Sequence, residues 1–427
     1  MNSAALIGIF LLALLAGLPL AVGLGVASIA VLALAGFDQL AVPTNIYAGI
    51  AKYPLLAIPM FILAGMIFER SGVAERLVRF VTAIVGEWTG SLAVVAILVS
   101  MLLGGISGSG PADAAAVAAV MLPSMIQRGY PRGFSAGLIA ASGSTAIVIP
   151  PSVAFIIYSV MVPAATVPAL FAAGLFPGLI AAACLLVPAI VISRRHGYGR
   201  DFKAERPPLL RSLVDAVWGL LAPVIILGGL RAGIFTPTEA AVVAVAYGVF
   251  VGMVIYRSIT FKGLFRLFVE AGELSAVVLM IIGIASVFAW AGNTLGVFDG
   301  AAKALVEMHS SEWLMLLSIN VLLLIAGMFL DAVSIFLILL PLLVPIATAM
   351  GWDLVWFGVM MTINLAIGQF TPPMAISLMI TSRIAGVGMQ ETFRTVIWLM
   401  VAMLSGLAIM IAFPQIALWL PGRLGYL

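Results

Sequence analysis

Apolar runs close to the length of a membrane span recur from one end of the chain to the other, and polar residues gather in short stretches between them. About 20 consecutive apolar residues make one helical crossing. The runs are continuous rather than alternating, so they predict helices and argue against a β-barrel. Composition sharpens the picture: 64% of the 427 residues are hydrophobic and only 9% are charged, where a soluble domain carries about a quarter. The expected fold class is an all-α polytopic membrane protein, held in the lipid bilayer and without a sizeable soluble domain.

The positions of Lys and Arg set the orientation. The polar loop 196–211 is placed in the cytoplasm by Arg194, Arg195, Arg200, Lys203, Arg206 and Arg211. Walking away from it in both directions gives two repeats, 1–195 and 212–427. The first is read as scaffold helices within 1–68 (46–68 being one crossing), an arm at 69–88, hairpin one at 89–127, a broken helix at 133–163 and a helix at 168–192. The second is read as scaffold helices at 213–256, an interfacial arm at 257–272 and a helix at 273–294. An external loop at 295–312, hairpin two at 313–348, a broken helix at 354–382 and a last helix at 395–413 complete it. Residues 1–36 are one long tilted helix or two short ones broken at Gly17-Leu-Pro19, and symmetry with 213–256 favours two.

With both hairpins re-entrant, every Lys and Arg except Lys52, Arg231, Lys303 and Arg423 falls on the cytoplasmic side. If either hairpin spanned fully, that bias would collapse. The repeats then have opposite orientation, hairpin one opening to the cytoplasm and hairpin two to the exterior. Inverted repeats with broken helices are a signature of secondary transporters, with the site near the midplane.

The two repeats also share a motif. The first runs Ser107-Gly-Ser-Gly-Pro-Ala-Asp113-Ala, then Leu122-Pro123, Gly143-Ser144-Thr145 and Pro150-Pro151-Ser152. The second runs Gly327-Met-Phe-Leu-Asp331-Ala, then Leu340-Pro341, Asn364 and Thr371-Pro372-Pro373-Met374. A repeated carboxylate beside repeated helix breakers is expensive in lipid, and transport needs such an arrangement more often than structure does. A broken helix frees backbone carbonyls and amides that must find partners. Carbonyl and hydroxyl oxygens suit a hard cation such as sodium, while helix N-termini and hydroxyls suit a substrate carboxylate.

The candidates are therefore Ser107 and Ser109 at tip one, Ser142, Ser144 and Thr145 before the first break, and Asn364, Gly368, Thr371 and Met374 around the second. Met374 would offer only its backbone carbonyl. Ser109, Ser144, Thr145 and Asn364 are the candidates for substrate. The bland readings are a packing turn of small residues and a kink held by back-bonding hydroxyls. Asp113 and Asp331 begin the second arms of the hairpins and are either helix caps or ion ligands or proton carriers. Sodium coupling is favoured over proton coupling, because the interior has no chain of Asp, Glu and His.

Other residues carry plain readings. The lone Cys184 is a core residue without a disulfide partner. His196 and His309 are solvated loop residues. Trp88, Trp290, Trp313, Trp352, Trp356 and Trp419 fit interfacial belts. Glu239 after Thr236 reads as a capping box. Arg128 and Arg132 signal orientation. The first charge is Asp38, which argues against a cleaved signal peptide. The net charge of +3 is no signal for nucleic acid.

Gly104-Gly-Ile-Ser-Gly-Ser-Gly-Pro-Ala-Asp-Ala, Leu122-Pro, Ile149-Pro-Pro-Ser, Gly327 to Ala332 and Gly368-Gln-Phe-Thr-Pro-Pro resemble the large membrane subunit of TRAP transporters, the DctM-like family. The resemblance covers essentially the whole chain. It implies an elevator-type ion-transporter fold of the bacterial inner membrane, and no enzyme. It implies sodium near hairpin one, at Ser107, Ser109, Asp113, Ser142, Ser144, Val148 and Pro150. It implies sodium near hairpin two, at Gly327, Asp331, Gly368, Thr371 and Met374. Its partners would be a small four-helix membrane subunit and a periplasmic substrate-binding protein. The cargo would be a carboxylate such as a C4-dicarboxylate or sialic acid. It implies no cofactor beyond coupling sodium ions, and no Walker pattern for ATP is present. A stand-alone sodium–dicarboxylate symporter is the alternative. A membrane aspartyl protease is a third reading, and it requires Asp113 and Asp331 to share a proton.

Overall fold

Breakers divide the chain into twenty α-helices among the described residues. The structure, a computed structural model, describes residues 2–200, 207–308 and 311–427. Lys203, Arg206 and His309 lie outside them.

In the first part, α1 (Asn2–Leu15) and α2 (Leu20–Leu34) separate at Gly17-Leu18-Pro19, where Gly17 takes φ +77°. α3 (Ala41–Ile50) stops before Lys52, and a 3-10 turn over Tyr53–Leu56 leads into α4 (Ala57–Arg70). The expected crossing at 46–68 is thus two helices, because Pro54 cannot donate the bond that would continue one. α5 (Val73–Val85) is the arm, pinned by the Arg76 guanidinium 3.6 Å over the Tyr256 ring. α6 (Ser91–Ser107) and α7 (Gly110–Gln127) form a hairpin. α8 (Arg132–Ser144) and α9 (Val153–Met161) flank the first break, and α10 (Val167–His196) closes this part.

The second part begins with α11 (Leu209–Arg231) and α12 (Pro237–Phe250). Thr236 and Glu239 make a reciprocal capping box at the start of α12. α13 (Phe261–Thr294) is one helix where an interfacial arm and a separate crossing were expected. At the expected junction stands only Gly272, and an exposed glycine costs about 1 kcal/mol, too little to end a helix of this length. α14 (Val297–Met308) occupies most of the expected loop 295–312. α15 (Glu312–Gly327) and α16 (Ala332–Ala349) form the second hairpin, and α17 (Leu354–Gly368) and α18 (Ile376–Ala385) flank the second break. α19 (Phe393–Ala412) is followed past Pro414 by α20 (Gln415–Leu424), beyond the expected last helix.

Among the described residues, seven helical stretches are long and apolar enough to cross a membrane, including Tyr53–Arg70, Leu209–Arg231, Pro237–Ile255 and Phe261–Thr294. Burial divides the helices into two populations. Only 28% of the apolar window of α11 is buried, and Leu12, Leu15, Val224 and Phe261 on the outer helices point outward, as lipid-facing residues do. In α8 and α17, every residue but the first is buried. α8 and α17 thus lie in the interior, whereas α15, the first arm of hairpin two, turns Trp313, Leu317 and Ile325 outward as the outer helices α1–α3 and α11–α13 do. Two tryptophans leave the expected belt: Trp352 and Trp356 are buried, and the Trp356 indole donates to the Met410 carbonyl.

Candidate functional site

Tip one is a tight turn. Gly108, at φ +63°, ends α6 and donates to the Gly104 carbonyl. A Cβ at Gly108 would fall against the Pro151 carbonyl and the Ser152 backbone, so the tip presses on the first break. The Ser107 hydroxyl donates to Asp113 Oδ1 at 2.6 Å and accepts from the Ser109 amide at 3.2 Å. Asp113 is 3% exposed, and its Oδ2 has no partner. It lies one turn inside α7 and caps no amide, so the cap reading fails for this aspartate.

Asp331 differs. It is the N-cap of α16 and accepts from the amides of Val333 and Ser334 at 3.0 and 3.4 Å, with the Ser334 hydroxyl as a third donor. Neither aspartate is the other's partner, so the shared proton of a protease dyad has no basis here.

The hydroxyls before each break back-bond. Ser144 donates to the Ala140 carbonyl at 2.8 Å, Thr145 to Ser142 at 2.7 Å and Thr371 to Ile367 at 2.6 Å. A hydroxyl has one proton and two lone pairs. With its proton given to a carbonyl, it presents lone pairs, which suit a cation and not a carboxylate. Ser152 donates to Ile147 and accepts from the Phe155 amide, which starts α9. Pro150-Pro151 and Pro372-Pro373 are both cis.

At the second break the backbone is closely packed. A Cβ at Gly368 would lie 2.6 Å from Gly327 Cα, so α15 and α17 cross at two glycines. The Met328 carbonyl at tip two accepts from the amides of Met374 and Ala375 at 3.2 and 3.3 Å. The Met374 side chain points outward, leaving its backbone as the part near the tip. Asn364 donates to the carbonyl and side-chain oxygen of Asn320, each at 2.9 Å, and its own Oδ1 is buried without a partner. Ser142 holds the matching place in the first part, 3.0 Å from Ser100. Val148 is buried, and Pro150 lines an apolar cavity of about 400 Å³ that also touches Arg231.

Three residues that the motif reading did not single out join the site. Gln369 is buried, its Oε1 lacks a partner, and a Cβ on Gly110 would fall on it and 3.3 Å from Ser144 Cα. The second break therefore touches tip one and the first break. Ser100 and Asn320 are the other two. Their only sequence signal is a polar side chain inside an apolar hairpin arm, with Ser318 close to Asn320.

The donor set has a consistent chemistry. The described residues hold no cluster of three His, Cys, Asp or Glu. Instead there are orphaned acceptor oxygens on Asp113, Gln369 and Asn364 and hydroxyl lone pairs beside them. A buried acceptor left unpaired costs about 1–3 kcal/mol, more if charged. An oxygen-seeking cation would relieve that cost.

Residues 7–416 match the DctM component of the tripartite ATP-independent periplasmic transporters. The chain is 34% identical over its full length to the full-length C4-dicarboxylate TRAP transporter large permease protein of Rhodobacter capsulatus. It is 40% identical to the sialic acid TRAP transporter large permease protein of Vibrio cholerae, over 88% of each chain. Its fold is similar to that of the YdaH transporter of Alcanivorax borkumensis, with a TM-score of 0.64, 14% identity and 88% of each chain covered.

Proposed function

The chain belongs to the DctM family of tripartite ATP-independent periplasmic transporters, a family of permease subunits and not of enzymes, and on that premise we propose that it carries an organic acid inward together with sodium, in symport driven by the downhill entry of sodium. The cargo is a carboxylate of the kind named for its relatives, a C4-dicarboxylate or a sialic acid. A small membrane subunit and a periplasmic binding protein complete the carrier in the bacterial inner membrane. The observation that carries this reading is the duplicated unit of hairpin and broken helix, whose α8 and α17 are almost wholly buried and which is furnished with orphaned oxygens on Asp113, Gln369 and Asn364.

Two inverted repeats give this unit its use. The outer helices α1–α4 and α11–α13 act as the stationary scaffold, and the hairpins with α8–α9 and α17–α18 move as an elevator. Ser107, Ser109 and Asp113 with Ser142, Ser144, Val148 and Pro150 hold sodium on one side. Gly327, Gly368, Thr371 and the Met374 backbone hold it on the other. Asp331 contributes by fixing tip two rather than by touching the ion. Cargo binding falls to Ser109, Thr145 and the end of α17 near Asn364, whose donors must turn from their present partners to meet a carboxylate. The test is uptake of labelled organic acids into proteoliposomes holding this chain with and without the two partner proteins. Uptake only with all three components and an inward sodium gradient is expected. Uptake by the chain alone would replace this reading with a stand-alone symporter.

A further inference from the structure

A second cavity lies away from the tips, at the seam between the outer and inner helices. It is an open, mostly apolar cavity of about 430 Å³ whose polar groups are Asn45, Lys52, Ser286 and Asn293 on the outer helices, with Pro341 and Pro345 of α16 opposite. Lys52 Nζ donates to the Val160 carbonyl at 3.1 Å, near the C-terminal end of α9. An ammonium has three donors, and this bond uses one. The one ion pair among the described residues is Arg128 with Glu87, so no described carboxylate neutralises Lys52. In the orientation expected from the basic loops, Lys52 is one of four cations on the exterior side.

We propose that this cavity is an entry site where a carboxylate waits on the exterior face before it reaches the hairpin tips. The proposal rests on the carrier reading above. Lys52 supplies two unused donors to the carboxylate. The carboxamides of Asn45 and Asn293 orient it, and the Ser286 hydroxyl, whose proton goes to the Ile282 carbonyl, offers lone pairs to a cargo hydroxyl. One wall belongs to the scaffold and the other to hairpin two, so movement of the hairpin dismantles the site and releases the acid inward. The competing occupant of the same chemistry is a phospholipid headgroup.

The chain's single cysteine makes the test direct. In a Cys184→Ser background, Ala48→Cys places a reporter thiol on the cavity wall. Its reaction with anionic and cationic methanethiosulfonates is timed in proteoliposomes of phosphatidylcholine and of an anionic lipid mixture. The anionic reagent should react faster. Lys52→Gln, which keeps a donor for Val160, should lower the anionic-to-cationic ratio about fivefold, the effect of one nearby charge, and Lys52→Arg should preserve it. Succinate or N-acetylneuraminate should slow labelling when Lys52 is present and not in Lys52→Gln, in both lipids alike. A ratio indifferent to Lys52→Gln would overturn the proposal. So would labelling unaffected by an acid that the assembled carrier takes up. Protection that follows anionic lipid rather than added acid would assign the site to a headgroup and overturn it equally. An assembled carrier that moves no carboxylate, with the ratio still set by Lys52, would overturn the carrier reading and not the anion site.

Discussion

Hairpin one and hairpin two begin from the same motif and use it differently. In hairpin two the aspartate is a cap: Asp331 takes two amides and a hydroxyl at the start of α16. In hairpin one the corresponding Asp113 has moved a turn into its helix, takes one hydroxyl and leaves a buried oxygen without a partner. The polar pair behind each break also differs, Ser100 with Ser142 in one part and Asn320 with Asn364 in the other. A duplicated sequence therefore makes one tip whose carboxylate is satisfied and one whose carboxylate is not. The unsatisfied one is where a charged ligand gains most.

The largest expected effect is on the packing of the second part. Gly368→Ala would push a Cβ to 2.6 Å from the Gly327 backbone. Backbone cannot yield as a side chain can, so a loss of about 3 kcal/mol is expected, read as a fall in thermal midpoint together with lost uptake. A stable and active variant would show that the two glycines are not a forced crossing. Next, Asn364→Ala strips two hydrogen bonds from Asn320 and should cost about 2 kcal/mol, whereas Ser142→Ala should cost about 0.5–1. Equal losses in thermal unfolding would erase the contrast between the polar pairs.

The aspartates sharpen the comparison through function. Asp113→Asn should raise the sodium concentration for half-maximal uptake about tenfold, the scale of one charge-assisted contact. Asp331→Asn retains a capping oxygen and should change stability by only a few tenths of a kcal/mol, with sodium dependence unchanged. A reversed order in the same uptake assay would move the cation to tip two. The smallest effect is at Thr371. Removing its hydroxyl should raise the sodium half-saturation about threefold, as one neutral ligand does, with little change in unfolding. An unchanged half-saturation would leave Thr371 as a back-bonded kink residue only.

Some features follow from the order of residues alone. Continuous apolar runs identify membrane helices because lipid leaves backbone groups no other partners. Gly17-Leu-Pro19 and the two Pro-Pro pairs mark breaks because proline lacks the donor a helix requires. The repetition of Asp, Leu-Pro and Pro-Pro announces a duplicated unit before any contact is known. These are local rules, and they misjudge elements when local signals are weak or hidden. They split α13, which has no breaker to split it, and joined α3 to α4 across Pro54, whose effect the surrounding apolar residues disguised.

Tertiary structure decided what the polar residues do. Asp113 and Asp331 read alike in the chain, yet one caps and the other does not, because the tips differ in length and in which helix presses on them. Gln369 became part of the site only when Gly110 came near enough to leave it no room for a side chain. Asn364 found Asn320 across a helix crossing, and Lys52 reached Val160 from the other side of a seam. A helix or a break needs only neighbours a turn away, so its cause is written in consecutive residues. A partner for a buried oxygen comes from another helix, and which one depends on how closely the backbones approach in the folded chain.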